Sequence, residues 1–237
     1  MAGEWRARPF AGWDTETTGV DVETCAIVTC CFGLASPTGW QSTNWLIQQD
    51  EPIPAEATAV HGITTEHANE HGQPAREALP QIRDALYRAW SEGMPVAAYN
   101  ACYDFTVLDR NLRRHGLGAL EIRGPVLDPH VLDKDADPYR RGSRKLIDVA
   151  AHYGIVLTEA EAHGAEADAL TAARLAWKLG ASVVSLQAAH DLQVAAYRKQ
   201  RESFAAYLAK KGERLDDDNR VWPLKPFPDA GTLRPAA

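Results

Sequence analysis

The spacing of apolar residues changes part-way along the chain, and this change limits the fold more than any other feature. Residues 8–16 (RPFAGWDTE) and 26–35 (AIVTCCFGLA) are β-rich runs, and residues 39–48 (GWQSTNWLIQ) follow a Pro37-Thr38-Gly39 turn. They predict three successive strands, at least partly antiparallel. After that the period lengthens. Pro54 to Val60 predicts a short helix closed by His61-Gly62, and Thr64 caps another. Ala78, Leu79, Ile82, Leu86 and Trp90 recur at helical spacing within 75–91. Short apolar runs at 95–99 and 124–128 predict strands. Residues 102–115, 143–153 and 166–179 predict helices stopped by Gly116, Gly154 and Gly180. Strands first, then helix alternating with strand, give an α/β domain: a mixed sheet covered by helices.

That pattern ends near residue 180. Residues 181–211 predict one long helix with an apolar stripe of Val183, Leu186, Val194, Tyr197, Phe204 and Leu208. Residues 212–237 are polar and then carry Pro223, Pro226, Pro228 and Pro235, which predicts an extended tail. The expected organisation is a domain over 8–180 and an extension over 181–237. The stripe requires a packing surface, whether the chain's own domain, a partner or a second copy.

Composition narrows the class. With 45% hydrophobic and 24% charged residues, the chain is an ordinary globular protein. It has no apolar run of about 18 residues for a membrane span, and MAGEWRARPF is not a secretory signal, so the expected location is cytoplasmic. The 4 cysteines lack CxxC spacing and three crowd into residues 25–31, which favours reduced apolar side chains over a disulfide framework or a zinc site. A net charge of −7 does not by itself point to nucleic acid. It does not exclude it, because carboxylates gathered at one site are neutralised by divalent cations.

Three separated segments carry candidate chemistry. In Asp14-Thr15-Glu16 the two carboxylates lie two apart on a strand and so point the same way. Ionised carboxylates this close repel, and a cation compensates. Asp104 sits one turn into a helix after a buried strand, where an ordinary first-turn acid would also be found. His163-Gly-Ala-Glu-Ala-Asp168 places a histidine in a loop and an aspartate in the helix that follows. Glu161 and Glu166 compete by type and proximity, and facing solvent is the expectation for both.

Taken in order, these segments resemble the DnaQ-like exonucleases of the type with a catalytic histidine, the DEDDh group. The family's D-x-E-T-T-G is matched by Asp14, Thr15, Glu16, Thr17, Thr18 and Gly19, and its H-N-x-x-F-D by Tyr99, Asn100, Ala101, Cys102, Tyr103 and Asp104. Its H-x-A-x-x-D-A is matched by His163, Ala165, Asp168 and Ala169, and its V-H-G-I-T by Val60 to Thr64. The likeness covers roughly residues 8–179. Tyr99 and Tyr103 depart from the family's His and Phe, and neither replaces a metal ligand.

The resemblance implies a ribonuclease-H-like fold and hydrolysis of nucleic acid from the 3′ end. It implies two divalent cations, Mg²⁺ or Mn²⁺, which suit oxygen ligands. Asp14 would bridge both cations. Glu16 and Asp168 would hold the one that carries the attacking water, Asp104 would support the other, and His163 would be the general base. Thr17 would meet the terminal 3′-hydroxyl. His61 and Asn100 match positions near the terminal nucleotide, while a helix-end histidine and a turn-stabilising asparagine account for them equally well. DNA is favoured over RNA, because the first and fourth motifs look most like polymerase-proofreading subunits; that likeness also raises a DNA polymerase as partner. A catalytically silent binding module would be expected to lack a carboxylate or the histidine, and none is missing. Three basic clusters, Arg140/Arg141/Arg144/Lys145, Arg110/Arg113/Arg114 and Arg198/Lys199/Arg201, are either phosphate tracks or solvated faces. Trp13 and Trp45 are either stacking platforms or core.

Overall fold

The computed structural model describes residues 5, 9–36, 38–158, 162–180, 184–215 and 219–228. It contains a five-stranded mixed sheet in the order β3-β2-β1-β4-β5. Strands β1 (Phe10–Thr17), β2 (Ile27–Ser36) and β3 (Gly39–Leu46) form an antiparallel meander, and β4 (Val96–Ala97) and β5 (Val126–Leu127) add in parallel beside β1. The helices are α1 (Ala55–His61), α2 (Thr65–His71), α3 (Ala75–Ser91), α4 (Ala101–Arg114), α5 (Pro129–Ala136), α6 (Leu146–His152), α7 (Ala165–Leu179) and α8 (Leu186–Lys210). The expected α/β architecture, a mixed sheet flanked by helices with a long C-terminal helix, is thus present. Arg8 of the expected first strand, Pro37 of the turn, Val183 of the stripe and Pro235 of the tail lie outside the described residues.

β1 is central and covered on both faces, so its two-residue period assigns each side chain to a different helix. Gly12 faces α7, where an added Cβ would stand 2.4 Å from the Ala169 carbonyl and 3.1 Å from the Ala173 Cβ. This glycine and the alanine-rich face of α7 let helix and strand approach closely. Trp13 faces the other way and packs on Phe105 of α4, ring centroids 4.6 Å apart. Phe105 in turn stacks on Trp90 at 5.9 Å. The expected apolar positions of α3, namely Ala78, Leu79, Ile82, Leu86 and Trp90, are all buried. Thr64 caps α2 by accepting from the His67 N–H.

α5 is absent from the sequence-based expectation. It starts where Asp128 accepts the His130 N–H and Pro129 occupies the first turn, an N-cap and N1 pair that is itself a start signal. The first half of α8 closes the sheet edge at β5. His190 Nδ1 accepts from Val126 N at 3.3 Å, Gln193 Nε2 donates to the Val126 carbonyl at 3.0 Å, and Gln193 Oε1 accepts from Asp128 N at 2.5 Å. Side chains thereby satisfy an edge that would otherwise be open to pairing. The stripe divides accordingly. Leu186, Val194 and Tyr197 pack on the domain, while Phe204 is exposed.

Residues 219–228 run along α4. Trp222 is buried, Lys225 N donates to Thr106 Oγ1 at 3.1 Å, and the Arg113 guanidinium lies 4.4 Å from the Phe227 ring centroid. This contact corrects the reading of Arg110 as a phosphate track or solvated face. It is buried between Glu23, Asp109 and the Lys225 and Pro226 carbonyls. No described helix is long and apolar enough to cross a membrane, and all four cysteines are free and buried.

Candidate active site

The alternation along β1 also builds the site. Asp14 and Glu16 share the side of Gly12 and so meet the first turn of α7, which carries Asp168. Oxygens of Asp14, Glu16 and Asp168 lie within 4.8 Å of one another. On the opposite side, Thr15 Oγ1 donates to Asp104 Oδ1 at 2.6 Å. The residue between the two acids therefore fixes the fourth carboxylate at the same strand end. The close contact at Gly12 and the Thr15–Asp104 bond bring four acids from three elements together.

Every one of these acids has its pKa pushed up. Burial is the largest cause at Asp14, followed by Asp104, Glu16 and Asp168. Burial and then Asp168 and Asp104 push Glu16 to about 8. Asp104 is pushed to about 7 by burial, against the opposing Thr15 hydrogen bond. Asp168 is raised by burial, against the His163 N–H and its charge. The charges acting on Asp14 and Glu16 are all carboxylates, and among the described residues the one positive charge that acts on the group is that of His163, on Asp168. Asp168 Oδ1 is buried without a hydrogen-bond partner, while Oδ2 accepts from His163 N at 3.3 Å. An oxygen-only donor set with an unpartnered carboxylate oxygen fits a hard divalent cation.

His163 is exposed and holds φ +66°, a conformation that a non-glycine residue adopts at a cost and that collects at functional loops. It lines a cavity of about 730 Å³ together with Glu16, His61, His67, Trp40, Asn44 and Trp45. His61 Nδ1 accepts from Ile63 N at 3.1 Å, and its Nε2 is buried without a partner. Burial lowers its pKa, partly offset by the Thr17 backbone. Asn100 has φ +62°, and its side chain makes no capping bond. The turn-stabilising reading therefore reduces to tolerance of a left-handed backbone, with the carboxamide exposed. Trp13 is fully buried and no stacking platform, and Trp45 is buried with Nε1 on Gln81 Oε1 at 3.1 Å.

Four further residues border the site. The Tyr103 hydroxyl donates to the Gly19 carbonyl at 2.6 Å and lies 2.5 Å from Thr17 Oγ1, which braces the turn after the first motif. The Tyr99 hydroxyl donates to the Arg144 carbonyl at 2.5 Å. Both departures from the family pattern thus act through hydroxyls that a His or Phe side chain lacks. Thr15 is the third. The fourth is Glu166. It is exposed, as expected, yet it accepts from Trp40 Nε1 at 3.1 Å, from Asn44 Nδ2 at 3.2 Å and from Ser42 Oγ. The polar spacing of Trp40, Ser42 and Asn44 on one face of β3 is the sequence signal for this contact. Glu161 lies outside the described residues.

Known proteins resemble this chain in sequence and in fold. The family model RNase_T, described as exonuclease, matches residues 12–176. An uncharacterized exonuclease of Escherichia phage 186, CP81, is 33% identical over 164 residues, covering 65% of this chain and 79% of the relative. Among solved structures, E. coli Exonuclease I in a zinc-bound complex with single-stranded DNA superposes with a TM-score of 0.63 at 16% identity, over 83% of this chain and 44% of that one. The chain therefore spans less than half of Exonuclease I. Exonuclease X in complex with 5′-overhanging duplex DNA gives a TM-score of 0.56 at 19% identity, over 78% of this chain and 99% of that one.

Proposed function

The chain belongs to the RNase_T exonucleases, and with them to the DnaQ-like group; from that premise we propose that it is a divalent-metal-dependent enzyme that removes nucleoside monophosphates from the 3′ end of single-stranded DNA. The observation that carries this reading is the meeting of Asp14, Glu16 and Asp168 within 4.8 Å, with every carboxylate pKa raised. Asp14, Glu16 and Asp168 would hold one Mg²⁺ or Mn²⁺, and Asp14 with Asp104 a second. Bound there, such cations supply charge stabilisation for in-line displacement at phosphorus.

The protein's own groups do the rest. His163 accepts the proton of the attacking water, a step typically worth about 10²–10⁴-fold. The water oxygen bonds to phosphorus as the P–O3′ bond breaks, and the departing 3′-oxygen takes a proton from solvent, leaving a free 3′-hydroxyl on the shortened strand. Thr17, held by Tyr103, meets the terminal 3′-hydroxyl, and His61 and Asn100 flank the terminal nucleotide. The complexes of Exonuclease I with single-stranded DNA and of Exonuclease X with duplex DNA support DNA as substrate. We assign the catalytic domain to 8–180 and a C-terminal helix with a Pro-containing tail to 181–237. A polymerase would dock through the C-terminal helix and tail, and on the helix its exposed second half is the free part, because the first half is engaged with β5 and α5.

The test uses 5′-labelled and 3′-labelled DNA and RNA oligomers with Mg²⁺ or Mn²⁺, beside Asp14→Ala and EDTA controls. Stepwise shortening of the 5′-labelled strand is expected, with a labelled mononucleotide released from the 3′ label. Loss in both controls ties the activity to this site, and a faster rate on DNA than on RNA supports the substrate. No shortening on any strand by the folded protein would overturn the reading.

A further inference from the structure

The cavity beside His61 and Trp40 borders the carboxylates on the β3 side. On the β5 side, beyond Tyr99, lies the segment 137–145 between α5 and α6, which contacts of Arg140, Arg144 and Tyr99 hold in place. The buried Asp133 carboxylate pairs with Arg140 at 2.7 Å and Arg144 at 2.5 Å and accepts the Tyr153 hydroxyl at 3.1 Å. The Arg144 guanidinium also donates to the Asp137 carbonyl. The Tyr99 hydroxyl holds the Arg144 carbonyl at 2.5 Å. Tyr99 lies two residues past the end of β4, which runs parallel to β1, so this anchor stands near the strand ends that carry Asp14 and Glu16.

The groups this frame presents to solvent include an aromatic ring and two cations. The Tyr139 ring is 91% exposed, a large cost for an aromatic side chain that serves no core. Arg141 and Lys145 are exposed and take part in no ion pair among the described residues. Asp135 near the end of α5 and Asp137 at the start of the segment are exposed and carry the opposite charge. Asp133 consumes two of the arginines, which leaves two unpaired cations beside one free aromatic face. This is the composition of a platform for a single nucleic-acid strand: cations for phosphates and a ring for a base. In a chain of net charge −7, non-specific attraction of a polyanion cannot replace such a site.

We infer that residues 139–145 hold the single strand upstream of the bond being cut, with Tyr139 stacking on a base, Arg141 and Lys145 meeting phosphates, and the Tyr99 hydroxyl fixing the platform to the active-site edge. The inference rests on the exonuclease reading and names the path of its substrate. The test is anisotropy of a 5′-fluorescein 20-mer of thymidylate in Ca²⁺, titrated at several salt concentrations. The unsubstituted protein is compared with Tyr139→Ala, Arg141→Ala/Lys145→Ala and, as a charge-matched control on α8, Arg198→Ala/Lys199→Ala. Tyr139→Ala is expected to weaken binding about tenfold, the size of one base stack. The Arg141/Lys145 double variant should reduce the slope of log K against log salt by about 1.4, since each phosphate contact on a single strand contributes ~0.7. The control should leave both unchanged. Unaltered affinity and slope in the platform variants, or a loss in the control as large as theirs, would overturn the inference, as would failure of the unsubstituted protein to bind the strand. The labelled-strand assay reads the exonuclease activity separately, so a protein that shortens DNA yet ignores these substitutions sinks only the platform.

Discussion

Asp14 illustrates how a site can be costly to the fold that carries it. Its carboxyl is held among Glu16, Asp104 and Asp168, and burial and repulsion together raise its pKa well above the ordinary value. A folded-state pKa above the unfolded one means that the folded chain binds the proton more tightly. The metal-free protein therefore loses stability as pH rises from the unfolded pKa through the folded one, and the cost is absent below the unfolded value. Asp14→Asn removes that cost. In EDTA at pH 8 the variant is expected to melt above the parent. With millimolar Mg²⁺ or Mn²⁺ the parent should gain stability by mass action, and the variant should gain little. Thermal unfolding with and without metal checks both signs. A variant less stable than the parent in EDTA, or one that keeps the full metal response, would remove Asp14 from the metal site.

Among the elements, α7 carries the heaviest geometric demand, because its first turn bears Asp168 and the preceding loop bears His163 at φ +66°. Its inner face is fixed by the contact at Gly12, and its outer face by Glu166 on Trp40, Ser42 and Asn44 of β3. Glu166→Ala frees that face, and small displacements of catalytic groups cost up to about 10²-fold in rate. A fall in kcat of about tenfold is expected, with KM changed less and partial recovery in Glu166→Gln, which keeps a carbonyl acceptor. Steady-state kinetics on a labelled oligomer check it; equal kcat in all three proteins would refute the clamp. The periodic parts of this frame were legible in the sequence, since the β1 alternation and the α3 stripe follow from residue spacing alone. The three motifs also named the four carboxylates that the fold brings together, because each motif reads within one segment. α5 escaped because its eight residues show too little periodicity and only Asp128-Pro129 marks its start. The Thr15–Asp104, Tyr103–Gly19 and Glu166–β3 bonds escaped because they join residues at least 84 positions apart, and only the register of the folded sheet decides who meets whom.

For the molecule as a whole, the question is whether the chain after the last motif is an appendage or part of the fold. The sequence offers an apolar stripe and no partner; the structure finds the partner in the domain's own sheet edge. Gln193 is fully buried, satisfying Asp128 N and the Val126 carbonyl at once. Asp128 in turn accepts the backbone N–H of Asn100 and Ala101, each at 2.9 Å, at the start of the helix that carries Asp104. The extension therefore reaches the active site through one glutamine and one buried aspartate. Gln193→Leu keeps roughly the same volume but leaves a buried donor and a buried acceptor unpaired, each costing about 1–3 kcal/mol. At about 2–4 °C per kcal/mol for a chain of this size, a fall in melting temperature of roughly 5–20 °C is expected. Phe204→Ala/Tyr207→Ala, on the exposed half of the same helix, should leave the melting temperature nearly unchanged. The two measurements separate the alternatives. Loss in the first variant alone makes α8 a structural wall of the domain whose far end is free for other contacts. No loss in either would make the extension an appendage that the fold does not need.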